Sequence, residues 1–170
     1  MEYLVGLGHR QIGYVGNCYN ESRFRGYQNA MFKYNLEMNI DNIINANPDE
    51  NTGYLAMDKF IHQKNAPTAI YCANDIIAVG MLRCLKKYKG GYYSPSVISS
   101  DDIEEAKYTK PMLTTISLPK EEMIRFALSL LSSRINGSHR TTAKIELETT
   151  LIIRESCSNI NNSMSCEYYI

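Results

Sequence analysis

A regular alternation of short apolar runs with longer spans of helical periodicity constrains this chain more than any other feature. Residues 11–16 (QIGYVG) are a compact apolar run ending in glycine and read as a strand. Residues 21–36 carry Phe24, Tyr27, Met31 and Tyr34 at spacings of three and four, the stripe of an amphipathic helix. Residues 40–46 read as a second strand, weakened by Asp41, Asn42 and Asn45. Pro48 and Asp49 are helix-start signals, and a helix to about residue 63 puts Tyr54, Met57 and Ile61 on one face. Residues 68–73 (TAIYCA) are the clearest buried strand. Asn74 and Asp75 are good N-cap types, and the helix they open runs to about residue 89, where Gly90 and Gly91 stop it. Val97 and Ile98 mark another strand, 101–108 a polar loop with a helical turn, and 112–118 an extended segment. Pro119 opens a helix to Ile135, with Met123, Ile124, Ala127, Leu131 and Ile135 facing inward and Asn136 and Gly137 closing it. Residues 144–154 are a last strand or hairpin arm, and the Ser/Asn-rich residues 158–170 read as a flexible tail.

Strands and helices joined by short links predict an α/β fold: a parallel sheet with helices on both faces. Open sheets of this kind hold ligands at the carboxyl ends of their strands. Those ends carry residues 17–23, 47–48, 74–75 and 101–102, polar groups suited to a hydroxylated small molecule. Singly, helix capping by Asn74 and Asp75 and a turn at Asp101 and Asp102 account for them better. Their recurrence at four strand ends favours a ligand site.

Composition narrows the function classes. The chain has 170 residues, 44% hydrophobic and 21% charged, which fits one globular unit and excludes disorder as the main state. Eighteen basic residues balance eighteen acidic ones, so the basic excess of a nucleic-acid grip is missing. No apolar run approaches a membrane span, and the first residues lack a signal-peptide pattern, so a cytoplasmic location is expected. The five cysteines show no C-x-x-C pair and read as reduced thiols, with Cys72 in a strand core and no metal bound. No nucleophile elbow, zinc-protease helix, Walker A run or dinucleotide fingerprint is present, and Gly6-Leu7-Gly8 precedes a strand instead of following one. His9, His62 and His139 are scattered and read as surface residues. No catalytic residue, cofactor or metal ligand is predicted.

Five motifs in order then carry a resemblance. LVGLGHRQIGYVG (4–16), RFRGY (23–27), PTAIYCAND (67–75) with Ala78 and Gly80, DD (101–102) followed by Tyr108, Pro111 and LTTI (113–116), and LIIRESC (151–157) together resemble the LacI/GalR family of transcription regulators. Members of that family have a helix-turn-helix headpiece, a hinge helix and a two-subdomain core like that of periplasmic sugar-binding proteins. The resemblance starts partway into the core. It implies that residues 1–157 are a partial effector-binding domain, with 1–116 the C-terminal subdomain and 117–157 a segment returning to the N-terminal subdomain. The apolar face of the helix from Pro119 would then lie against a sheet outside this chain, and isolated molecules are expected to associate through it.

The resemblance also implies site residues. Arg23, Asn74 and Asp101 match effector-contacting positions: an Arg fork suits vicinal hydroxyls, an Asn amide donates and accepts at once, and a carboxylate accepts from hydroxyls or a purine edge. Local capping is the plain alternative for all three. Val79 and Tyr108 match the family's dimer surface, against ordinary packing for Val79 and an exposed Tyr108. Pro48 falls where relatives stack an aromatic ring on the ligand, Ser99 and Ser100 replace a Gly-aromatic pair, and Tyr92-Tyr93-Ser94 replaces a P-x-D turn. The implied function is the effector-sensing part of a repressor with a sugar as ligand, acting as a homodimer and meeting operator DNA only through a headpiece these residues lack. A sugar-binding component of a transport system, or a small α/β enzyme, are the alternatives.

Overall fold

Ala69, Ile70, Tyr71 and Cys72 are all buried, because this run lies mid-sheet with helices over both of its faces. In the computed structural model, which describes residues 1–19, 21–88, 93–138 and 141–160, the strands are β1 (Ile12–Gly16), β2 (Ile43–Asn45), β3 (Ala69–Cys72), β4 (Ser96–Ser100), β5 (Thr114–Ser117) and β6 (Thr150–Ile152). They form one sheet in the order β2-β1-β3-β4-β5-β6. The first five run parallel, with registers such as Tyr14 beside Tyr71 and Tyr71 beside Ile98; β6 alone is antiparallel, Ile116 facing Leu151.

Alternate residues feed opposite layers, as the two-residue period of a strand requires. Ile12, Tyr14, Tyr71 and Ile98 pack under α2 (Ser22–Lys33) with Tyr27, Met31 and Leu4, the last from the short α1 (Glu2–Gly6), which the periodicity did not foretell. Val15, Ile70, Cys72 and Val97 pack under α3 (Glu50–Ile61) and α4 (Asp75–Lys87), with Met57, Phe60, Ile77, Met81 and Leu85. Helices therefore lie on both faces. α3 and α4 meet at Gly53 and Gly80: a Cβ on Gly53 would lie 2.0 Å from the Ile77 carbonyl oxygen, and one on Gly80 1.9 Å from that of Glu50. Only glycine permits so close a backbone approach.

Several expectations need correction. Only Ile43–Asn45 of the strand expected over 40–46 pairs, because Asn39 caps a 3₁₀ turn over Ile40–Asn42 by accepting from the Asp41 N–H at 3.0 Å. Of the arm expected over 144–154, only Thr150–Ile152 is strand, and Ile145 is exposed. α5 (Lys120–Ile135) forms where expected, yet none of its residues is buried. Met123, Ile124, Leu131 and Ile135 face solvent, because no described residue supplies a surface beneath them.

His9 is not a surface residue; it is fully buried. Its Nε2 donates to the Ser158 carbonyl at 3.0 Å and lies 3.0 Å from Ser96 Oγ, while Nδ1 lies 3.0 Å from Thr68 Oγ1. Burial lowers its pKa below the ordinary 6.5, against a smaller upward pull from the Ser158 bond. Residues 158–160 are correspondingly tied down, with Ile160 N–H donating to the Leu7 carbonyl at 3.1 Å, so the expected tail does not begin at 158. Residues 161–170, the Gly90-Gly91 stop, Tyr92 of the altered turn, His139 and Cys166 lie outside the described residues.

Candidate functional site

The carboxyl ends of β1, β3 and β4 bring three side chains to one place. Arg23 stands in the first turn of α2, whose N-cap Glu21 accepts from the Arg23 N–H at 3.4 Å. Its Nη2 reaches Asp101 Oδ1 at 2.7 Å. The other carboxylate oxygen of Asp101 accepts from Asn74 Nδ2 at 2.9 Å. Asp101 thus bridges a guanidinium and an amide contributed by segments 78 and 27 residues away. Arg23 and Asp101 are each about one quarter exposed, so the cluster opens to solvent.

Capping does not explain Asn74. It is the N-cap of α4, but its side chain makes no cap hydrogen bond and turns to Asp101 instead. Asp75 does not cap either. It is fully buried, and its carboxylate accepts from Ser99 Oγ, Thr115 Oγ1 and the Ile103 N–H. Asp49, by contrast, caps α3 as expected, accepting from the Thr52 N–H at 2.8 Å. Asn47 and Pro48, at the end of β2, are exposed.

The two consecutive aspartates face different neighbours. Asp101 has φ +125° and Asp102 φ +47°, both in the half of φ space that non-glycine residues avoid. Asp102 pairs with Arg154 Nη2 at 2.7 Å, and Arg154 Nη1 also donates to the Leu113 carbonyl at 2.7 Å. Burial pushes the Asp102 pKa up, but the Arg154 guanidinium and the Ser117 side chain outweigh it, leaving the carboxyl below its ordinary 3.8. Lys120, at the start of α5, donates to the Asp102 carbonyl at 3.4 Å.

Residue-by-residue reading gave the loop after β1 as part of the site but did not single out Tyr71 or Asn45. Tyr71 and Ser100 approach within 3.3 Å under the site. Asn45 Oδ1 accepts from the Cys18 N–H, and Asn17 Oδ1 from the Tyr19 N–H, shaping the loop after β1. Their shared signal was polarity at strand ends. Val79 is half-buried on α4, whereas Tyr108 is three-quarters exposed after the turn Glu104–Lys107, its hydroxyl donating to Glu104.

Comparison with known proteins places this architecture. The profile of the periplasmic binding protein-like domain matches residues 1–157. The ribose operon repressor of Haemophilus influenzae is 34% identical over 160 residues, which cover 90% of this chain and 48% of that protein. The HTH-type transcriptional repressor PurR of Serratia proteamaculans is 33% identical over 164 residues, 92% of this chain and 48% of that one. The chain thus spans about half the length of the curated relatives it matches. Among solved structures, a LacI-family regulatory protein from Chloroflexus aggregans superposes with TM-score 0.82 at 26% identity, covering 91% of this chain and 58% of that one. The complex of the transcriptional regulator CelR with cellobiose superposes with TM-score 0.83 at 26% identity, covering 92% and 49%. From sheet order to sequence match, this chain belongs to the periplasmic binding protein-like domain family.

Proposed function

We propose that this chain is the effector-sensing part of a LacI/GalR-type repressor, and that Arg23, Asn74 and Asp101 form one wall of the site for a small polyhydroxylated ligand, a sugar first of all. The observation that carries this reading is the bridge of Asp101 to Arg23 and Asn74 at adjacent strand ends. Guanidinium, amide and carboxylate together offer both donors and acceptors, as a ring with neighbouring hydroxyls demands. The repressor names of the relatives and the cellobiose of the CelR complex point the same way. In this reading residues 1–116 are one subdomain and 117–157 a segment returning to the other. Val79 and Tyr108 face a second copy of the chain, and the protein works in the cytoplasm without catalysing a reaction. Operator DNA is met by a headpiece that these residues do not contain. The ligand shifts the regulator between two states only as far as its affinities for them differ.

A single wall binds weakly, at millimolar affinity, about −4 kcal/mol. The test is an amide NMR titration of the chain with mono- and disaccharides, D-ribose and cellobiose among them, and with purine bases. Shifts confined to the loops after β1, β3 and β4, and abolished by Asp101→Ala, are expected. Shifts elsewhere, or none with any compound, overturn the assignment, as does a tight, saturable operator complex formed by these residues alone.

A further inference from the structure

We infer that Asp75 is the positioning residue of this site: its buried carboxylate clamps both shoulders of the Asp101–Asp102 turn and thereby holds Asp101 against Arg23 and Asn74. The inference deepens the ligand site proposed above and rests on that reading for its functional meaning. Its geometric content stands separately.

Two consecutive non-glycine residues at positive φ persist only where their surroundings over-determine them. Here Arg154 holds the Asp102 carboxylate, and three further restraints converge on one side chain. Before the turn, Ser99 Oγ donates to Asp75 Oδ1 at 2.5 Å. After it, the Ile103 N–H donates to Asp75 Oδ2 at 2.9 Å. From β5, Thr115 Oγ1 donates to Oδ1 at 2.5 Å and itself accepts from the Asp102 N–H at 3.4 Å. The Asp101 N–H is fixed to the Ile116 carbonyl at 2.9 Å, so the turn is held on both strands.

Asp75 could have served its own helix, since an acidic residue in a first turn favours the helix dipole. Its hydrogen-bond donors, however, all come from other elements, at separations of 24, 28 and 40 residues. Extended backbone at Asn74 (φ −135°, ψ 151°) sends successive side chains to opposite sides. Asn74 therefore meets the Asp101 carboxylate, while Asp75 holds the backbone that carries it. Ser99, which departs from the family pattern, supplies one of the three donors.

The test reads the site without needing a ligand. In Asp75→Ala, side-chain nitrogen NMR is expected to show faster Arg23 guanidinium rotation and about tenfold faster exchange of the Asn74 amide protons, the effect of losing one hydrogen bond's worth of order. Asp75→Asn is expected to stay near wild type. Its oxygen still accepts from Ile103, and its NH₂ donates to the Ser99 and Thr115 hydroxyls, which can reverse roles. If Asp75→Ala does not fold, Ser99→Ala, which keeps the carboxylate and removes one donor, carries the same readout. Unchanged Arg23 and Asn74 signals in a folded Asp75→Ala or Ser99→Ala protein overturn the inference. So does an Asp75→Asn protein as perturbed as Asp75→Ala. Loosened signals in a protein that binds no sugar or purine sustain the clamp and overturn the ligand reading instead.

Discussion

Gly80→Ala tests the helix contact behind the sheet. The added Cβ would stand 1.9 Å from the Glu50 carbonyl oxygen and 2.9 Å from the Tyr54 nitrogen, where ordinary contact begins at 3.4 Å. α3 and α4 must therefore part by about 1.5 Å, the difference between 3.4 and 1.9. The obstacle is backbone, so no side chain can swing aside. The separation loosens Met57 and Phe60 against Ile77 and Met81, all fully buried. Overpacking costs about 1–3 kcal/mol, and more where backbone must move, while alanine returns about 1 kcal/mol of helix propensity. With backbone obliged to move the cost lies at the upper end, so the expected net loss is about 2 kcal/mol, or roughly 4–8 °C in Tm for a domain of this size. Gly26→Ala is the control. It lies within α2, its Cβ would meet nothing within 4 Å, and it gains about 0.5–1 kcal/mol. Urea unfolding followed by far-UV circular dichroism ranks the two. A Gly80→Ala protein as stable as Gly26→Ala would refute the argument that backbone contact fixes this helix pair.

Three further outcomes follow from particular side chains. The lowered pKa of Asp102 supplies stability that is complete above the ordinary 3.8 and is lost as pH falls through the folded value. Arg154→Met costs about 1–3 kcal/mol near neutrality and flattens that acid loss, and an unchanged slope of urea midpoint against pH would contradict it. His9 also has a depressed folded value, so its contribution holds above about 6.5 and fades as pH drops below it. His9→Gln removes the ring that must charge, and its stability is expected to vary less than wild type's between about pH 7.5 and pH 5. The open face of α5, with Ile124 60% and Leu131 57% exposed, drives self-association, read by light scattering as dimers or larger species that Ile124→Lys with Leu131→Glu disperses; a monodisperse wild-type monomer would refute this.

What the residues disclosed unaided follows the range of the forces involved. TAIYCA declared itself as a central strand because burial on both faces leaves no polar position to fill. The stripes at Tyr27 and Met31, and at Met57, point into the layers their spacing implies. Asn74 and Asp75 were ambiguous because a cap and a cross-strand contact call for the same residue types; only the fold shows that neither side chain caps. The meeting of Arg23 with Asp101 spans 78 residues, beyond the reach of periodicity. The family resemblance singled both out, and whether they hold a ligand is the proposal made above. His9 misled because a histidine between Gly8 and Arg10 has the local look of an exposed turn. Its burial is set by Thr68, Ser96 and Ser158, and its neighbours in sequence carry no trace of them.

The bond from His9 to Ser158 has a consequence for how the chain is made. Its partners are 149 residues apart. At about 5–20 residues per second, roughly 7–30 s separate their arrival from the ribosome. Throughout that interval β1 can pair with its neighbours, yet the imidazole beneath it lacks its carbonyl acceptor. The entropy of closing so long a loop grows only logarithmically with its length, so the late closure is slow to begin but inexpensive to keep. A nascent chain therefore leaves the buried imidazole with Thr68 and Ser96 alone as partners until residue 158 has been synthesised.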